Sequence, residues 1–105
     1  MFLRSEREET EMRQILAVVV CFHPEPSSLQ SLSLNLYQEG VPVVWINNGP
    51  PGSLDAIKTQ HVLSIIELQQ NLGVAAALNR GFEWALQNSF DAVFSFDQDS
   101  RPAVG

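Results

Sequence analysis

A chain of 105 residues holds one domain's worth of sequence and can bury about two-thirds of its unfolded surface, enough for a single core. Apolar residues make up 45% of it, so folding is expected, and the formal charge of −6 excludes a bulk electrostatic grip on nucleic acid or anionic membrane. A single cysteine, Cys21, excludes an internal disulfide and fits a reducing compartment, where its default role is that of a small buried residue.

Residues 1–14 read as a charged, flexible leader, in which Glu6, Glu8, Glu9 and Glu11 interleave with Arg4, Arg7 and Arg13. Residues 15–105 read as one α/β domain. An acidic opening is the reverse of the basic start of a secretory signal, and the longest apolar run, Ile15 to Phe22, is too short to span a bilayer. A cytoplasmic location is expected.

Ile15–Phe22 is almost continuously apolar and rich in Val, as a strand covered on both faces should be, and Pro24 ends its ladder. Ser27 or Ser28 is the expected cap of a helix containing Leu29, Leu32, Leu34 and Leu36, with Gly40 just past its end. Val41–Ile46 is a second buried strand, with Pro42 tolerated at its start. The run Asn47-Asn48-Gly49-Pro50-Pro51-Gly52 is a loop. A short helix from about Leu54 to Gln60 leads to a third strand, Val62–Ile66. Leu72 to Asn88 carries the strongest helical period: Val74, Leu78, Phe82 and Leu86 recur at every fourth position and are expected, with Ala75 and Ala85, to form the buried face. Asp91–Phe96 is the fourth strand and delivers Asp97-Gln98-Asp99-Ser100 at its carboxyl end.

This alternation predicts an α/β fold, a Rossmann-like parallel sheet with right-handed crossovers and helices on both faces. Such sheets bind ligands at the carboxyl ends of their strands. The candidate loops are therefore Cys21–Pro24, Asn47–Gly52, Glu67–Gly73 and Asp97–Ser100.

Asp97 and Asp99 flank one residue at the end of an apolar strand. Two carboxylates so placed can give oxygen ligands to a hard cation such as Mg²⁺ or Mn²⁺, which screens them from a diphosphate. A polar strand end with a capping turn is an equal reading of that spacing alone. Asn71 is the expected N-cap of the last helix, and Gly73 lets backbone approach a ligand beside a helix terminus that favours anions. Asn79 and Gly81 are poor helix formers; Gly costs about 1 kcal/mol against Ala, and close packing of Gly81 on the sheet is the expected cause. Asn47 offers a donor and an acceptor at the end of the second strand. His23 flanks a turn, His61 has no evident partner, and Arg80 and Arg101 are either phosphate ligands or exposed side chains. There is no Gly-rich phosphate loop with its Lys, no dinucleotide-binding glycine pattern, no Ser/Cys–His constellation and no zinc spacing.

Four blocks in order, VVVCFHPE (18–25), VVWINNGP (43–50), NLGVAAALNRGFEWAL (71–86) and FSFDQDSRP (94–102), resemble glycosyltransferase family 2, of the GT-A fold. The resemblance covers residues 15–102 and is strongest to bacterial rhamnosyltransferases. It implies a nucleotide-sugar donor (dTDP-rhamnose among the candidates), a divalent cation (Mg²⁺ or Mn²⁺), and a glycan or lipid-linked acceptor in cell-surface polysaccharide synthesis. It also implies a full-length protein working at the inner face of the membrane.

By position, the resemblance places Cys21 and Phe22 at the nucleotide base. Asn47 falls where the family usually has an aspartate contacting that base, and Asn71 and Gly73 fall in a turn near the donor. Asp97 and Asp99 match the D-x-D motif, with Asp99 the favoured ligand of metal and diphosphate. Two positions depart from the family: Asn47 replaces an acid, and Pro50 stands where a small polar residue is common. Family members continue past D-x-D into an acceptor-binding half that holds a general base. The expectation is therefore a truncated, donor-binding fragment that transfers no sugar, with an exposed sheet edge that pairs with a second copy.

The alternative is a non-catalytic α/β nucleotide-binding or interaction module. A receiver-like domain wants acidic residues after its first strand, where FHPEP has only Glu25. A nucleotidyltransferase wants a Gly-rich basic loop there, and none is present.

Overall fold

The computed structural model describes residues 14–98, so residues 1–13 of the leader and residues 99–105, Asp99 and Arg101 among them, lie outside the described residues. The elements run β1 (Ile15–Cys21), α1 (Pro26–Gln38), β2 (Val43–Asn47), a 3₁₀ turn (Asp55–Ile57), β3 (Val62–Glu67), α2 (Val74–Gln87) and β4 (Ala92–Asp97). All four strands join one parallel sheet in the order β3-β2-β1-β4. This is the Rossmann-like α/β arrangement that the alternating pattern predicts.

Strand alternation divides the core in two. Ala17, Val19 and Cys21 of β1, with Val43 and Trp45 of β2, pack against Leu29, Leu32 and Leu36 of α1. Leu16 and Val18, with Val44 and Ile46, pack on the other face against Ala77 and Ala85 of α2. β1 and β2 are thus covered on both sides, which is why their sequences read as unbroken apolar runs. The buried indole of Trp45 donates to Ser33 Oγ at 2.9 Å, and that hydroxyl donates to the Leu29 carbonyl at 2.9 Å, so the polar atoms beneath α1 are paired.

The helix ends differ from expectation at one terminus and match it at the other. Glu25, not Ser27 or Ser28, caps α1: its carboxylate accepts from the Ser27 and Ser28 amides at 3.2 and 2.8 Å, and Pro26 takes the first helical position. A proline there has its φ preset and lacks only an N–H that would have been unpaired, which moves the cap one residue before it. At the other end Gly40 lies just beyond the cap with φ 83°, the left-handed conformation expected of it. The short helix predicted over 54–60 is a single 3₁₀ turn, with Leu54 buried and acting as its anchor.

The face of α2 is the predicted one only in part: Ala85 is buried and Leu78 partly buried, as expected. Val74, Phe82 and Leu86 are 62%, 42% and 76% exposed, as is Ala75 in large part, whereas Ala77, Gly81 and Ala85 are buried. Both sets recur at every fourth residue, so the period alone does not choose between them. The choice is made by size: α2 approaches the sheet closely, and a stripe of small side chains permits that approach. Leu78 and Trp84 border the stripe and are partly buried against the same core. Among the described residues β4, like β3, has one neighbour and forms an edge of the sheet, and Phe94 on it is 54% exposed.

Candidate functional site

β4 lies parallel beside β1 with Val20 opposite Asp97, so the acid leaves the sheet at the carboxyl end of β1. Below that point a cavity of about 490 Å³ opens between the ends of β1 and β4 and the start of α2. Its apolar wall is formed by Val20, Phe22, Val74 and Leu78, and its polar groups come from Asn48, Asn71, Asp97 and Gln98. The size is that of a small-molecule site with a few placed polar groups.

Phe22, the first residue past β1, is partly exposed and meets the His23 ring edge-on at 4.3 Å. His23 has φ 50°, which turns the chain away from the strand direction. Asn48 is almost fully buried. Its amide donates to the Cys21 carbonyl at 2.8 Å, extending the β1–β2 ladder by one bond, and its Oδ1 accepts from Leu72 N at 2.9 Å. Asn48 lines the cavity, and among the described residues no acceptor meets its Nδ2.

Asn71 does not cap α2. Its Oδ1 accepts from Gly73 N at 2.9 Å, closing a tight turn, and Gly73 itself is the capping residue, at φ 89° and ψ 164°. A Cβ at Gly73 would touch nothing within 4 Å, so glycine is required there for its backbone conformation rather than for space. Among the described residues no side chain caps the helix, which leaves first-turn N–H groups of a 14-residue helix beside the cavity.

Two expected site residues do not line the cavity, for reasons of alternation. Cys21 and Asn47 are register partners on the face that α1 covers. The Cys21 thiol is fully buried, donates weakly to the Val19 carbonyl, and is pushed up to about 12 by desolvation. Asn47 is buried too and its amide is committed locally. Its Oδ1 accepts from Gly49 N at 3.0 Å, and its Nδ2 faces Pro50 O, Ser53 Oγ and Glu67 Oε1 at 2.9, 3.3 and 3.0 Å. Glu67 Oε2 in turn accepts from Gly52 N at 3.2 Å. Asn47 therefore fixes the loop from which the next residue, Asn48, reaches the other side.

The structure thus brings Phe22, Asn71, Gly73 and Asp97 together, and adds Asn48 and Gln98, which sequence reasoning passed over. Asn48 was legible in principle, because the residue after a side chain on one face belongs to the opposite face. Among the described residues no three His, Cys, Asp or Glu side chains cluster as a metal site, and Asp97 is the carboxylate that lines the cavity.

Over 88 residues the chain is 33% identical to the dTDP-rhamnosyl transferase RfbF of Shigella flexneri, a match covering 83% of this chain and 30% of that protein. The relationship is to a glycosyltransferase, and the chain spans about 30% of the length of that relative. No protein-family model matches the chain, and no solved structure matches it.

Proposed function

We propose that this chain is the donor-binding part of a family 2 glycosyltransferase of the GT-A type, holding a nucleotide sugar, of which dTDP-rhamnose is the leading candidate. The observation that carries the reading is the convergence of Phe22, Asn48, Asn71, Gly73 and Asp97 on one cavity at the carboxyl ends of β1 and β4, next to the open N-terminus of α2. The likeness to a dTDP-rhamnosyl transferase supports a nucleotide sugar as its ligand.

Each group has a task in this reading. The Phe22 ring offers a face for the base, and Asn48 Nδ2 donates to a carbonyl or hydroxyl oxygen of the nucleoside. The α2 terminus favours the diphosphate. Asp97, with Asp99 beyond the described residues, supplies carboxylate oxygen to Mg²⁺ or Mn²⁺. A single carboxylate suits that role, since Mg²⁺ commonly takes one or two from the protein and the rest of its ligands from phosphate and water. When bound, the cation neutralises charge on the diphosphate leaving group. A glycan or lipid-linked acceptor, reached from the cytoplasmic side of a membrane, completes the proposed reaction of the whole protein.

Titration of the chain with dTDP and UDP, with and without Mn²⁺, tests the reading. Binding that requires Mn²⁺ and weakens at least about tenfold in Asp97→Ala supports it, a loss of the size expected for one charge-assisted contact. Failure of both nucleotides to bind favours a non-catalytic α/β interaction module instead.

A further inference from the structure

The middle residue of Asp97-Gln98-Asp99 is the one that the D-x-D spacing leaves unspecified, yet its side chain makes one of the longest-range polar contacts in the molecule. Gln98 Oε1 accepts from the Phe22 amide at 2.7 Å, and Gln98 Nε2 donates to the Phe22 carbonyl at 3.0 Å. The β1–β4 ladder runs from Ile15 opposite Ala92 to Val20 opposite Asp97 and goes no further. One step beyond its end, a primary carboxamide pairs both backbone groups of Phe22. Unlike a trans peptide, whose C=O and N–H point opposite ways, it presents an acceptor and a donor on the same side.

This contact carries the tie between two sides of the cavity past the end of the β1–β4 ladder. Phe22 lies past the end of β1 and is followed by His23 in the left-handed conformation. Among the described residues, Gln98 is the partner of both Phe22 backbone groups. Phe22 supplies the exposed aromatic side of the cavity, and Gln98 is the immediate neighbour of Asp97.

From this geometry we infer that Gln98 is a positioning residue: it clamps Phe22 to the acidic strand end, fixing the separation between the ring that receives the base and the carboxylate that serves the diphosphate. The inference rests on the nucleotide-sugar reading above. Two variants separate the clamp from simple bulk. Gln98→Met keeps the length of the side chain and removes both hydrogen bonds. Gln98→Glu keeps the acceptor for the Phe22 amide and loses the donor.

Two measurements on the whole chain test it. Without ligand, amide hydrogen exchange at Phe22 is expected to quicken at least about tenfold in Gln98→Met, with the melting temperature and exchange in β2 unchanged. With Mn²⁺ present, dTDP affinity is expected to fall about tenfold in Gln98→Met and less in Gln98→Glu. Unchanged Phe22 exchange overturns the clamp. Faster exchange with full nucleotide affinity overturns its role in the site and leaves the nucleotide reading standing. A native chain that binds no nucleotide overturns that reading, and this inference with it.

Discussion

Val18 lies directly beneath Gly81: a Cβ added to Gly81 would fall 2.8 Å from Val18 Cγ1 and 3.2 Å from its Cγ2. This contact explains the glycine in the middle of α2, and it sets how closely the helix approaches the sheet below the cavity. Gly81→Ala gains about 1 kcal/mol of helix propensity, but it drives a methyl into a fully buried, β-branched neighbour, and overpacking of this kind costs about 1–3 kcal/mol. The clash should win. Denaturant melts are expected to show a net loss of about 1 kcal/mol in Gly81→Ala, and a Gly81→Ala, Val18→Ala double variant less destabilised than the sum of the two single changes. A stabilised Gly81→Ala would show that the helix has room to lift.

Asn47 and Glu67 are joined at 3.0 Å, and the joint works only with an amide on the β2 side. An aspartate here would face the Glu67 carboxylate and the Pro50 carbonyl with nothing to donate. Asn47→Asp is therefore expected to destabilise the chain by about 1–3 kcal/mol. Adding Glu67→Gln, whose amide can donate to the new carboxylate, should restore part of that loss. An unchanged melting temperature in the single variant would remove this account of the asparagine.

These two positions also show where sequence reading reached and where it stopped. The parallel sheet was legible, because buried strands between helical segments leave few other topologies. Phe22, Asn71, Gly73 and Asp97 were legible as a cluster from the rule that ligands bind at carboxyl strand ends. The α2 face was not, since Val74, Phe82 and Leu86 repeat with the same period as Ala77, Gly81 and Ala85, and only the closeness of the sheet decides between them. Cys21 and Asn47 lie away from the cavity because the direction of a side chain depends on strand alternation, which a match of positions does not carry. The Gln98 clamp is a contact across 76 positions of sequence between a side chain and a backbone, and no local pattern announces it.

Burial makes a distinct prediction for Cys21, whose thiol is pushed up to about 12 from 9.0 by desolvation alone. At about pH 8 the native thiol should resist disulfide reagents and react fully once the chain is unfolded. Because the folded form keeps its proton while the unfolded form loses it, this contribution to stability is complete below pH 9.0 and declines as the pH rises toward about 12. Rapid modification of the native chain would contradict the burial.

Glu25 gives the opposite pH dependence. Hydrogen bonds from the Ser28 and Ser27 hydroxyls, joined by their backbone amides, lower its carboxyl from 4.5 to about 2. The cap's contribution is therefore full above pH 4.5 and lost as the pH falls toward about 2. Glu25→Gln should melt lower than the native chain at neutral pH, and the gap should close across that acid window. A gap that stays constant down to the acid limit would show that the carboxylate charge plays no part in the cap.

The central claim is that the cavity at the carboxyl ends of β1 and β4 is a nucleotide site, and amide chemical shifts recorded during a dTDP titration with Mn²⁺ or Mg²⁺ test it residue by residue. The account predicts saturable shifts at Phe22, Asn48, Gly73 and Asp97, and none around Gly40 and Val41, which line a separate cavity of about 420 Å³. Shifts confined to Gly40 and Val41, or no saturable shift anywhere, would contradict it.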